Sequence, residues 1–269
     1  MNICASWWEA CDSGFVLTRL RKQHILNTLQ RTGQVIAKDL SEELGLSEDT
    51  IRRDLRELAS SGLLQRVHGG ALPASPAVGD FATRLGVASD EKRSIGRTAA
   101  DMIQSGQVVV LDGGTTAVQI ARQLRPDLRA TVVTHSPTIA VELVEHRYVE
   151  VMLIGGRLFK HSIVSVGAAA IEAIARVHAD LYFMGVTGIH PVVGLSTGDF
   201  EEAHIKRALS ASAAETIVLA SSEKLNAASP YVIGPLSDVQ GMIVAANTKA
   251  KSLAPFLKAG IKIIKAAGE

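Results

Sequence analysis

Seven short runs rich in β-branched residues punctuate the chain beyond residue 90: VVVLD, ATVVT, VEVMLI, ADLYFM, TIVLA, GMIVA and IKII. Helix-like segments separate them, and an alternation of strand and helix joins parallel neighbours through crossover helices. The runs are almost continuously apolar, which suits strands covered on both faces. The pattern therefore predicts an open, mostly parallel α/β sheet over residues 90–269. Its first helix is capped at Ser89 or Asp90, carries Ile95, Ala99, Met102 and Ile103 on one side, and stops at Gly106. Apolar residues make up 47% of the chain and charged residues 20%, enough for a real core and too apolar for disorder.

A length of 269 residues leaves room for a second, smaller domain. The stretch LPASPAVGDFATRLGVAS is rich in proline, glycine, alanine and serine, so residues 73–89 are expected to connect a domain at 18–72 to the α/β domain at 90–269. Residues 1–17, MNICASWWEACDSGFVL, show no helical period and hold both tryptophans. They are expected to be an atypical extension, with translation starting near Val16; a genuine but disordered tail is the alternative. No uncharged apolar run approaches the roughly 18 residues of a membrane span, and no basic start precedes an apolar block, so neither membrane insertion nor secretion is expected. Cys4 and Cys11 stand without metal-ligand company, which predicts no disulfide framework, no metal site and a reducing cytoplasm. The net charge of +1 does not decide for or against nucleic acid; local charge does.

Local charge concentrates in SEDTIRRDLRELASSGLLQRVHGGA, residues 47–71. Ser47 is a good N-cap, and Glu48 and Asp49 suit the first turn of a helix. Ile51, Leu55 and Leu58 then fall on one face, with Arg52, Arg53 and Arg56 on the other. Upstream, RLRKQHILNTLQRTG predicts a helix with Ile25, Leu26 and Leu29 inward and Gly33 as its stop. IAKDLSEELG predicts a second, with Ile36, Leu40 and Leu44 inward and Gly45 at a sharp turn. Past the third helix, LLQRVHGGA alternates and closes in two glycines, as a β-hairpin wing with Arg66 and His68 exposed would. An isolated arginine-bearing helix is usually a solvated face; two preceding short helices and a glycine turn make DNA binding the better account.

This stretch resembles the winged helix-turn-helix of DeoR-type bacterial regulators, whose Thr-Ile-Arg-Arg-Asp-Leu, following Leu and His-Gly-Gly-Ala are reproduced at Thr50 to Leu55, Leu58 and His68 to Ala71. The resemblance implies double-stranded operator DNA as a partner. Thr50 with Arg52 or Arg53 is then the candidate for base edges, since arginine bonds guanine O6 and N7 together. Arg56, Arg66 and the basic start, Arg19, Arg21 and Lys22, are expected at phosphates. Ser47 and His68 complete the expected DNA-binding set.

In a parallel sheet, ligands bind beyond the carboxyl ends of the strands. VVVLDGGTTAVQIARQL runs from strand through Asp112, Gly113, Gly114, Thr115 and Thr116 into a helix. Its glycine amides, hydroxyls and helix N-terminus suit a phosphate. It lacks the Walker lysine and the G-x-G-x-x-G spacing, which disfavours ATP and NAD. Further strand ends, THSPTIA, IGGRLFK, MGVTGIHPVVGLSTGDFEEAHIKRAL and LASSEKLN, bring Thr134, His135, Gly155, Gly156, Arg157, Lys206 and Lys224 as candidates. Arg157, Lys206 and Lys224 can hold a phosphate or hydroxylated chain, and Asp112 can accept from sugar hydroxyls; for any single lysine a solvated surface charge is the commoner role.

These strings too are similar to the DeoR type, with Thr115, Gly155, Gly156, Lys206, Arg207 and Lys224 at its landmarks, so the likeness spans about residues 18–265. It implies a fold similar to ribose-phosphate isomerases and a phosphorylated sugar or derivative as effector. His135 replaces the usual asparagine and Ser221 the common aspartate; the histidine predicts pH-dependent effector affinity, the alternative being a neutral His135 that donates much as asparagine would. The expected function is a transcriptional regulator, a repressor of a sugar-catabolic operon, acting as a homo-oligomer (dimer or tetramer) without cofactor. The alternative is a sugar-phosphate isomerase or deaminase-like enzyme carrying a DNA-binding domain, with Asp112, Asp199, Glu201 and Glu202 as possible carboxylates; no motif fixes a pair of them for proton transfer, so no catalytic residue is assigned.

Overall fold

The computed structural model describes residues 18–267; the expected extension at 1–17 lies outside them. The chain divides between Ala74 and Ser75 into two compact units.

The first unit runs α1 (Thr18–Thr32), β1 (Val35–Ile36), α2 (Ala37–Leu44), α3 (Glu48–Ser60), β2 (Leu64–Val67) and β3 (Gly70–Pro73). Gly33 stops α1 at φ +78° and Gly45 closes α2 at φ +63°, a left-handed conformation that glycine adopts without strain. Ser47 caps α3 by accepting the Thr50 N–H at 3.2 Å. Ile25, Leu29, Leu40, Ile51, Leu55, Leu58 and Leu64 form its core. The wing is broader than a hairpin, because β1 pairs with β3 to give an antiparallel sheet ordered β1-β3-β2. Ile36 is thereby drawn out of the helix expected to begin with it and, expected inward, is 45% exposed. Gly70 permits the pairing: a Cβ at that position would lie 1.9 Å from the Val35 carbonyl oxygen.

The second unit opens with a 3-10 turn (Pro76–Val78), α4 (Phe81–Leu85) and α5 (Ser89–Met102). It continues through β4 (Val108–Leu111), α6 (Thr115–Arg122), β5 (Thr131–Thr134), α7 (Pro137–Glu142), β6 (Glu150–Leu153), β7 (Arg157–Phe159), β8 (Val164–Val166) and α8 (Ala168–Ile174). There follow β9 (Ala179–Gly185), β10 (Gly188–His190), β11 (Gly194–Thr197), α9 (Phe200–Ala211), β12 (Ala213–Ala220), β13 (Tyr231–Gly234), β14 (Gly241–Val244), α10 (Ala250–Lys258) and β15 (Ile263–Lys265). The residues 73–89, expected as a connection, thus belong largely to this unit. Asp80 caps α4 by accepting the Thr83 N–H at 2.8 Å, and Phe81 enters the core.

All seven apolar runs are strands of one sheet, ordered β15-β14-β12-β9-β4-β5-β6 and parallel at every pairing. Both faces are covered along the inner strands, as the near-continuous apolar runs require, while the edge strand β6 leaves Met152 and Leu153 exposed. Val110, Val133, Tyr182, Met184 and Val218 pack on one side; Val109, Leu111, Val132, Phe183 and Leu219 pack on the other. From β4 the chain proceeds to β5 on one side and later returns to place β9 on the other. The carboxyl ends of β4 and β9 therefore bound the crevice at which the winding reverses, the general ligand position of such sheets. Among the described residues, no helix is long and apolar enough to cross a membrane.

Candidate nucleic-acid interface and anion cleft

In the first unit, α3 buries Ile51, Leu55 and Leu58 and leaves Arg52, Arg53 and Arg56 exposed. Arg52 is steadied by Glu48 one turn back, Nη2 to Oε2 at 2.7 Å. Thr50 Oγ1 lies 3.0 Å from Ser47 Oγ, so these two residues fix the start of the helix. On the wing, Arg66 and His68 are exposed, and with Arg52 they line a hollow of about 270 Å³ between helix and wing. A concave basic surface on the N-terminal half of the third helix suits entry into a major groove.

Arg21 departs from its expected place at a phosphate. It is buried at 6% exposure and forms a two-pronged ion pair with Asp54, with Nη2 donating to Oδ1 at 3.0 Å. The hydrogen bond to Asp54 raises its pKa above the ordinary guanidinium value. The pair ties α1 to α3, and its role is to hold the scaffold. Lys22 pairs with Glu57 at the surface, and Arg19 is exposed.

In the second unit, Asp112 stands immediately beyond β4 with no exposed surface. Its Oδ1 meets His135 Nε2 at 2.8 Å and accepts the Gly113 N–H at 2.8 Å. Its Oδ2 accepts from Lys206 Nζ at 2.6 Å and from the Gly185 N–H at 2.7 Å. Burial alone would push this carboxyl up; the Lys206 ammonium and the His135 hydrogen bond outweigh it and hold Asp112 well below the usual carboxylate range. Burial would likewise lower Lys206, and its two carboxylate neighbours raise it instead. With four partners around its two oxygens and no exposed surface, Asp112 does not present itself to sugar hydroxyls, contrary to the sequence-based expectation. It organises the site from beneath.

His135 and Thr134 are also fully buried. His135 Nδ1 lies 3.0 Å from the Ser165 carbonyl oxygen, so both ring nitrogens face oxygen partners. Thr134 Oγ1 donates to the Leu111 carbonyl at 2.7 Å. Both support the loop from below and neither lines the cleft above it. Gly113 is required by packing, since a Cβ there would come within 2.1 Å of Val164 Cγ1. Gly114 has φ +111° and leaves the N-terminus of α6 without a side-chain cap.

That N-terminus opens into a cleft lined by the 113–117 loop, Gly185 to Thr187, Arg84, Glu202, Lys206 and Lys224. Lys224 is 6% exposed, and its contacts among the described residues are long, to Thr116 Oγ1 at 3.4 Å and the Leu219 carbonyl at 3.3 Å. Burial pushes its ammonium down to about 8. Burial also lowers the Arg84 guanidinium, whose Nη2 donates to Ser162 Oγ at 3.4 Å. Three cations, two glycines and a helix N-terminus around one small space suit an oxyanion. The free volume as it stands is about 20 Å³, room for a single water.

Gly155, Gly156 and Arg157 are exposed and do not line this cleft. The site instead gains Arg84 and Glu202. Asp80, a helix cap one turn before Arg84, was the signal available for the former; the Asp-x-x-Glu spacing of Asp199 and Glu202 was that for the latter. Of the carboxylates weighed for proton transfer, Asp112 is saturated, Asp199 caps α9 by accepting the Glu202 N–H at 2.9 Å, and Glu202 pairs with Lys206 at 3.1 Å.

Residues 21–76 match the family described as the DeoR-like helix-turn-helix domain, and residues 87–246 match the DeoR C terminal sensor domain. A putative aga operon transcriptional repressor of Escherichia coli O157:H7 is 33% identical over 254 residues, covering 92% of this chain and 93% of that protein. The HTH-type transcriptional regulator GlpR of Haloferax volcanii is 33% identical, covering 91% of this chain and 96% of its own. The HTH-type transcriptional repressor GlcR of Bacillus subtilis is 32% identical, covering 81% and 85%. A solved ribose 5-phosphate isomerase from Methanocaldococcus jannaschii overlaps 51% of this chain and 54% of its own at 16% identity and a TM-score of 0.38.

Proposed function

The chain belongs to the DeoR family of DNA-binding transcriptional regulators, and on that premise we propose a repressor of a sugar-catabolic operon whose operator affinity is set by a phosphorylated sugar in the cleft. The observation that carries the effector half is the meeting of Arg84, Lys206 and Lys224 with the uncapped start of α6 at the sheet's switch point. Relatives named for glycerol-3-phosphate regulons and an aga operon support that ligand class. Thr50, Arg52 and Arg53 read base edges, while Arg56, Arg66, His68, Lys22 and Arg19 follow the phosphate backbone.

An effector changes DNA affinity only through unequal binding to two conformations, so the cleft must open and close with the ligand. The working assembly is a dimer or tetramer, because paired half-sites call for paired recognition helices. The cytoplasm is its place of action, and no turnover of the sugar is involved. Nuclease footprinting of the chain's own upstream DNA tests the reading. A protected, two-fold symmetric site that one sugar phosphate releases is the expected result; aldose–ketose interconversion by the purified protein would move the reading to an enzyme.

A further inference from the structure

The cleft holds a carboxylate where an anionic ligand has to go. Lys206 Nζ touches two acids, Asp112 at 2.6 Å and Glu202 at 3.1 Å. The two are held very differently. Asp112 has four hydrogen-bonding partners and no exposed surface, whereas among the described residues Glu202, which lines the cleft, has as side-chain partners Lys206 and the Ser162 hydroxyl, 3.3 Å from Oε2. Arg84 reaches the same hydroxyl. With Glu202 in place, the remaining space admits about one water, and an arriving phosphate would meet a like charge between its own cations.

Glu202 also has somewhere else to go. It is the third residue of α9, and its amide already donates to the Asp199 carboxylate at 2.9 Å. That is half of a capping box. In the full motif, the glutamate at this position returns the bond to the N-cap amide. Here the Glu202 side chain turns inward to Lys206 and Ser162 instead, and the reciprocal bond is unmade.

We propose that Glu202 is an internal anion that closes the empty cleft, and that a phosphate monoester takes its place on Lys206 and Ser162 while Glu202 swings out to the Asp199 amide. The proposal rests on the cleft being the phosphate site. It gives that site two arrangements of one helix start, one for each ligand state, and explains how a closed pocket accepts a dianion without leaving a buried carboxylate unpaired. The bond lost to Lys206 is replaced by the cap, so the exchange keeps both carboxylate and ammonium satisfied.

Calorimetric titration of the full chain with inorganic phosphate at fixed salt tests it, using wild type, Glu202→Gln, Ser162→Ala and Lys224→Met. Glutamine keeps the shape and can still complete the cap but does not compete for Lys206 as an anion. Glu202→Gln should bind phosphate about tenfold more tightly, within the usual range of such coupling; Ser162→Ala, which takes one donor from Glu202 and from the phosphate alike, should change affinity little, and Lys224→Met should lose binding. If Glu202→Gln binds equally or more weakly while Lys224→Met still loses binding, the exchange is wrong and the cleft assignment stands. If Lys224→Met binds as wild type does, the cleft assignment falls and the exchange with it. Should Glu202→Gln fail to fold, Glu202→Ala takes its place, and a phosphate affinity no higher than that of the wild type overturns the exchange.

Discussion

The arginines of α3 and the lysines of the cleft are the same kind of charge in opposite surroundings. Arg52 has a side chain 56% exposed and one short helical partner, while Lys206 and Lys224 are 2% and 6% exposed. A polymer of phosphates is met by exposed, mobile cations, whose affinity comes largely from counterion release and falls steeply with salt. A single small anion is met by cations desolvated in advance, where each contact is strong, geometry selects, and protonation matters. The contrast also shows in how each set is held: α3 needs only an apolar underside, but the cleft needs Asp112 beneath it to keep Lys206 charged.

The largest break should come from that support. Asp112→Asn takes from the buried Lys206 ammonium the nearer of its two carboxylates and should cost on the order of 3–5 kcal/mol, read as an earlier denaturant transition of the second unit; an unchanged transition would mean that the cleft is not organised by this residue. Arg21→Ala should cost near 3 kcal/mol in the first unit by stranding Asp54, with weakened DNA binding following from unfolding. Unaltered stability with evenly weaker DNA binding would return Arg21 to the surface role that its sequence position suggested. Arg53→Ala should lose about 1–3 kcal/mol of discrimination between operator and random duplex without altering the melting curve, and equal losses on both duplexes would place it on phosphates.

The smallest effect is one of pH. Lys224, lowered to about 8 by burial, loses its proton as pH rises through that value, so phosphate affinity should fall about fivefold between pH 8 and pH 9. Lys224→Met should show no such fall. The same shift has the opposite sign for stability: the buried ammonium is a penalty in the ligand-free protein below pH 8, relieved as pH rises from 8 toward the unfolded value of 10.5. A flat affinity profile in the wild type would mean that Lys224 does not meet the ligand.

What could be read in the sequence was what short-range physics decides. The seven β-branched runs became the seven parallel strands, Gly33 and Gly45 ended their helices, and Ser47 capped α3, because period, cap chemistry and positive φ are local. The loop from Asp112 to Thr116 was legible for the same reason. Partnerships across the fold were not. Arg21 and Asp54 are 33 residues apart and Lys206 and Asp112 are 94 apart, and nothing local distinguishes a buried paired arginine from a phosphate contact. Arg84 was hidden inside a stretch with the composition of a linker, and Ile36 fitted the apolar period of α2 until Gly70 offered it a strand partner. Gly155 to Arg157 looked equivalent to the other strand ends, but they follow β6, two strands away from the β4 end of the switch point.

In the proposed function, a phosphorylated sugar in the buried cleft governs the exposed DNA surface. Fluorescence anisotropy of labelled upstream DNA, titrated with wild type and with Lys224→Met at fixed salt, with and without a panel of sugar phosphates, tests it most directly. One compound should shift specific binding by the wild type, leave random DNA untouched, and have no effect on the variant. Tight DNA binding by both proteins with the same response to every sugar phosphate would contradict it.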